Sequence, residues 1–104
     1  MKFETRKCVE VSTIHITRSD DEILTRFSEM KDKAPISVAA YEYGYYIALM
    51  DRESFDKSVM PELAESKLSL HFIRLCGEAL LDGAQILNID RDGPQYDLPE
   101  VWID

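Results

Sequence analysis

The chain is short of the residues from which chemistry is usually read. Its 104 residues include two cysteines, two histidines, one tryptophan, four glycines and four prolines. Cys8 and Cys76 lie far apart, outside any CxxC or Cys/His spacing, so they read as two small buried thiols rather than a disulfide or a metal site. No apolar run approaches the roughly 18 to 20 residues that cross a bilayer, which excludes a membrane-spanning helix. Glu4 and Glu10 interrupt the amino end where a secretory signal would be uniformly apolar, and the expected location is the cytoplasm. No internal repeat or low-complexity segment is visible.

Positive charge is also scarce. Twelve Lys and Arg face twenty Asp and Glu, for a net charge of −8. Residues 1–52 hold eight cations against nine acids, and residues 53–104 hold four against eleven, so the second half carries most of the excess. Direct nucleic-acid binding is disfavoured, because phosphates are neutralised by concentrated cationic side chains. A basic protein surface is the better electrostatic match, although such a charge also keeps a small protein soluble.

What is present is an ordinary folded composition, 45% apolar and 31% charged, with room for one domain over 1–104 and one core. The stretch Ile36 to Met50, ISVAAYEYGYYIALM, joins β-branched and aromatic residues to a central Gly44 and predicts two paired strands with their reversal. Strand two is expected over about 36–43 and strand three over about 45–50. A first strand is expected over Arg6 to Ile16, with its alternation breaking near Ser12 and Thr13, through either a bulge or burial of both faces.

Ser19 with Glu22 has capping-box spacing, which predicts a helix with Ile23, Leu24, Phe27 and Met30 on one face, ending before Pro35. Residues 51–66 read as a polar loop with a helical turn starting near Pro61. A stronger helix follows over 67–82, carrying Leu68, Phe72, Leu75, Cys76, Ala79 and Leu80, with Gly83 as its C-terminal cap. Residues 84–89 read as a fourth strand and the remainder as an extended tail. The order β-α-β-β-α-β predicts an α+β two-layer sandwich, with a ferredoxin-like topology and the first and third strands central as its leading form.

Two surfaces are candidate sites. Asp90, Asp92, Asp97, Glu100 and Asp104 interleave with Tyr96 and Trp102, the pattern of aromatic anchors ringed by acids that would steer a basic partner; the alternative is a closing strand whose rings finish the core. Tyr41, Tyr43, Tyr45 and Tyr46 crowd the hairpin and, with His15, could form a ligand shelf; the alternative is cross-strand stacking on an ordinary sheet. Neither surface is a catalytic set. Thr13 and His15 share a strand face without an orienting acid, and nothing places His71 with His15 at metal-ligand spacing. Asp90-Arg91-Asp92-Gly93 starts like a calcium loop, but Pro99 stands where the closing glutamate belongs, so a turn is expected. No cofactor is implied. Self-association through the tail or an edge strand is a further possibility.

Three blocks, STIHIT from Ser12, VAAYEYGYY from Val38 and DGPQYDLPEVWID from Asp92, resemble an uncharacterised family of short acidic bacterial proteins, catalogued as a domain of unknown function and often carried on plasmids and prophages. The resemblance supplies no catalytic residues. It implies a context, since small acidic proteins of mobile elements often bind and block a host defence or DNA-handling protein. The function expected is therefore that of a non-enzymatic acidic protein-binding module, with a small ligand-binding domain or enzyme at the tyrosine-rich hairpin end as the alternative.

Overall fold

The computed structural model describes residues 1–30, 33–49, 55 and 60–102. Its elements are β1 (Cys8–Ser12), a single 3-10 turn (Thr13–His15), α1 (Arg18–Met30), β2 (Ser37–Tyr41), β3 (Gly44–Ala48), α2 (Met60–Glu65), α3 (Leu70–Leu81) and β4 (Ile86–Asp90). The strands form one sheet in the order β1-β4-β3-β2, with β1 parallel to β4 and the other pairs antiparallel. This is the α+β architecture expected. No helix among the described residues is long and apolar enough to cross a membrane.

The strand order corrects one expectation: β1 lies at an edge, and β4 takes the central place assigned to it. β4 can be central because Leu87 and Ile89 are fully buried on one side and Asn88 is buried among neighbouring side chains on the other. Buried in this way, an Asn requires partners, and its amide donates to the Tyr41 hydroxyl and the Tyr45 carbonyl. Ranking strands by apolar content overlooks a central strand whose second face is satisfied by hydrogen bonds.

One face of the sheet carries Val11, Tyr45, Ile47, Leu87 and Ile89 into the core, where α1 contributes Leu24 and Phe27 and α3 contributes Phe72, Leu75 and Cys76. Leu63 of α2 and Phe55 complete it. Met30, expected on the buried face of α1, is 43% exposed in the helix's last turn.

Local signals set the element ends. The alternation break near Ser12 is neither a bulge nor a doubly buried strand. β1 stops there, the Ser12 hydroxyl accepts the Ile14 N–H, and the chain turns. α1 is capped two residues earlier than the Ser19 spacing suggested: Thr17 Oγ1 accepts the Asp20 N–H while Asp20 Oδ2 accepts the Thr17 N–H, a reciprocal box. α3 begins at the Ser69 cap, whose hydroxyl accepts the Phe72 N–H. It ends in a Schellman motif, with Ala84 N–H on the Ala79 carbonyl, Gly83 N–H on the Leu80 carbonyl and Gly83 at φ 84°. The helical turn expected near Pro61 is α2, whereas residues 51–54 and 56–59 of the expected loop and the end of strand three at Met50 lie outside the described residues.

Gly44 has a different role from the reversal expected of it. The β2–β3 turn is Glu42–Tyr43, and Gly44 is the first residue of β3, where a Cβ would sit 1.8 Å from the Ile89 carbonyl oxygen. Only glycine lets β3 lie this close to β4 at that point.

Candidate functional site

On the sheet face opposite the core, Glu10, Ala39 and Tyr46 are exposed, and the hairpin tyrosines divide between the two faces. Register places Tyr41, Gly44 and Asp90 in one cross-strand row and Ala39, Tyr46, Asn88 and Glu10 in the next, all on the open face. Because Gly44 has no side chain, Tyr41 reaches across it from β2 and donates to Asp90 Oδ2 on β4. Asp90 Oδ1 also accepts the Asp92 N–H at 2.8 Å. These bonds favour the carboxylate and hold the Asp90 carboxyl below its usual range, the Tyr41 hydroxyl contributing most. Desolvation, followed by the bond to Asp90, pushes the Tyr41 phenol up.

Tyr41 stacks on Tyr46 with ring centroids 5.1 Å apart, and the Arg91 guanidinium lies 5.0 Å from the Tyr43 ring centroid. Tyr43 and Tyr46 are roughly half-exposed. Tyr45 does not belong with them. One residue out of phase with Tyr46, it points into the core, where its hydroxyl donates to Asp21 Oδ1 at 2.6 Å and lies 2.7 Å from Thr25 Oγ1. Burial and the Asp21 bond push its phenol up to about 12.

His15 is also apart from the tyrosines, because it is 2% exposed and holds the tail. Nε2 accepts the Tyr96 N–H at 3.1 Å, which leaves the proton on Nδ1 to be donated to the Pro99 carbonyl at 3.0 Å. With both nitrogens engaged, the ring is a clamp rather than a free base. The crevice between His15 and His71 measures only about 10 Å³.

The tail runs back along β1. Pro94 takes the Ser12 N–H at 2.8 Å, the Tyr96 hydroxyl donates to the Glu10 carbonyl at 3.0 Å, and the Val101 and Trp102 amides reach the Ile14 carbonyl. Leu98 and Trp102 pack partly buried against the core, and Arg18 lies 5.9 Å from the Trp102 ring centroid. Trp102 thus helps to finish the core, while Tyr96 stays half-exposed and Asp92, Asp97 and Glu100 stand in water. Asp104 lies outside the described residues.

Between β1, the C-terminal half of α3 and the tail runs a groove of about 760 Å³. Val9, Val11, Leu75, Ala79 and Leu98 give it apolar walls. Four carboxylates line it, from Glu10, Glu78, Asp82 and Asp97, against the single ammonium of Lys7, which lies 2.9 Å from Asp82. Glu10, Glu78 and Asp97 have no salt-bridge partner among the described residues. Desolvation and, second, the Glu10 charge push the Cys8 thiol up.

Sequence reasoning found Asp97 and Tyr96 but missed Glu10, Glu78 and Asp82. The available signal was the pair of Glu78, in the last turn of α3, and Asp82, its C-cap: like charges four residues apart where the helix dipole favours cations.

No curated protein and no solved structure matches the chain. Residues 8–102 match the family described as "Family of unknown function (DUF5983) C-terminal domain", and the chain belongs to that family.

Proposed function

We propose that the chain is a non-enzymatic, acidic protein-binding module of the cytoplasm that docks on a basic protein surface. The observation that carries this reading is the groove beside β1, where Glu10, Glu78 and Asp97, without a salt-bridge partner among the described residues, stand around apolar walls and a half-exposed Tyr96. Apolar area supplies binding energy there, and the surrounding acids select and steer a cationic partner. Carried on a plasmid or prophage, such a module would cover the basic surface with which a host defence or DNA-handling protein holds nucleic acid.

The test is capture from host lysate on the immobilised chain and on a Glu10→Gln/Glu78→Gln/Asp97→Asn variant. A partner should be retained at low salt, released at high salt, and bound about ten- to a hundredfold more weakly by the variant, since each rim charge contributes roughly 0.5–1 kcal/mol. Equal recovery on both chains would overturn the reading.

A second reading rests on the stacked pair of half-buried Tyr41 and exposed Tyr46 on the open sheet face, which could hold a flat ligand. It predicts that Tyr46→Ala abolishes ligand binding while leaving the fold intact. Unchanged binding would remove it.

A further inference from the structure

The groove contains an unfinished sheet edge. In the parallel register with β4, Lys7, Val9 and Val11 turn their backbone groups inward, while Cys8, Glu10 and Ser12 turn theirs out. The tail satisfies part of that outer edge: the Pro94 carbonyl accepts the Ser12 N–H and the Tyr96 hydroxyl donates to the Glu10 carbonyl. Pro94 has no N–H with which to continue as a strand, and beyond it the tail makes its contact through a side chain. The Cys8 N–H, the Cys8 carbonyl and the Glu10 N–H have no partner among the described residues, and Lys7 to Val11 line the groove. Exposed edges of this kind are ordinarily blocked or covered.

We propose that this edge receives an extended basic segment of a partner protein by strand addition, in which basic residues alternate with small apolar ones. The proposal rests on the protein-binding reading above and specifies how that groove is used. Backbone pairing at Cys8 and Glu10 fixes the register of the added segment. Its alternate side chains then face the sheet's two sides, one towards Leu75 and Ala79 of α3 and the other towards the Glu10 side.

Charge selects the occupant. The groove holds four carboxylates and one ammonium, a net of −3, so a segment bearing Lys or Arg at every second position is complementary. A second copy of this chain would bring two molecules of net charge −8 together at their acidic grooves.

The experiment uses the full chain and two synthetic peptides with blocked ends: alternating lysine and valine, and the same sequence N-methylated at every second residue to remove the backbone donors on one edge. Binding is followed by amide NMR shifts at low and high salt. The alternating peptide should bind at low salt with its shifts concentrated at Lys7 to Val11 and slowed hydrogen exchange at Cys8 and Glu10. N-methylation should weaken binding by about tenfold, the consequence of losing one or two backbone hydrogen bonds.

Equal binding of both peptides, or shifts centred away from β1, would overturn strand addition and leave the acidic-surface reading standing. No binding of either peptide would also overturn strand addition, and the lysate capture with the three-charge variant would then judge the broader reading by itself. Sedimentation showing a concentration-dependent dimer that shields Cys8 would overturn the assignment of the occupant in favour of a second copy.

Discussion

Replacing Asp20 with Ala should be among the most damaging single changes in this chain. The side chain is 0% exposed and joins the starts of two helices. Its Oδ2 accepts the Thr17 N–H at 3.0 Å and the Ser69 hydroxyl at 2.5 Å, while Oδ1 accepts the Ser69 N–H at 2.7 Å. Removing the carboxylate leaves two part-buried amides without acceptors, at about 1–3 kcal/mol each. The Ser69 hydroxyl keeps its capping bond to the Phe72 N–H, so α3 loses orientation more than its cap. The expected loss is about 4 kcal/mol, of the size found when one partner of a buried charged network is deleted. For a domain of this length that lowers Tm by roughly 15–30 °C.

Ser69→Ala removes the cap bond and one bond to Asp20, and should cost about 1–2 kcal/mol. Because the two side chains share a bond, the double variant should be less damaged than the sum of the singles by about 1 kcal/mol. The assay is urea unfolding followed by circular dichroism, on all four proteins. If Asp20→Ala falls within about 1 kcal/mol of the parent, the two helix starts are not held through this carboxylate and the reasoning fails.

Gly44→Ala places a methyl 1.8 Å from the Ile89 carbonyl oxygen and should cost about 3 kcal/mol in the same assay; a neutral result would mean that β3 moves freely against β4. Tyr41→Phe removes the main cause of the lowered Asp90 pKa, so an NMR titration should show that carboxyl returning upward towards the ordinary range. The sign follows from linkage: a depressed carboxyl contributes stability above its unfolded value and loses it as pH falls through the folded one, so the parent should lose more stability than Tyr41→Phe as pH falls below about 4. Tyr45 should titrate at about 12 by ultraviolet absorbance. Since the folded state keeps that proton longer than the unfolded chain, stability should fall as pH rises from about 10 through the folded value, and Tyr45→Phe should flatten that fall. Glu10→Gln removes one of the causes that hold the Cys8 thiol protonated, so alkylation of Cys8 near pH 8 should become severalfold faster; an unchanged rate would leave desolvation as the whole cause.

These perturbations separate what the sequence displays from what only the fold creates. Helices were legible from period and punctuation: Leu24 and Phe27, Phe72 and Cys76 recur at helical spacing, and Gly83 closes α3. The hairpin was legible too, but its aromatic residues were read as one cluster when strand parity separates Tyr45 from Tyr46. Caps were harder to place, because Thr17 with Asp20 and Ser19 with Glu22 offer the same spacing. The choice between them falls to Ser69, some fifty residues away, which holds Asp20 in the core.

The centrality of β4 was hidden for a related reason. Asn88 looks like a strand-weakening polar residue until Tyr41 and the Tyr45 carbonyl, from two other strands, satisfy it. The groove follows from that displacement. With β4 central, β1 becomes the edge, and the tail that leaves β4 must return beside β1, covering Ser12 and the Glu10 carbonyl but not Cys8. An acidic tail and an acidic turn of α3 thus come to face each other across an open strand edge. Neither segment announces a site by itself, so the binding reading depends on topology as much as on composition.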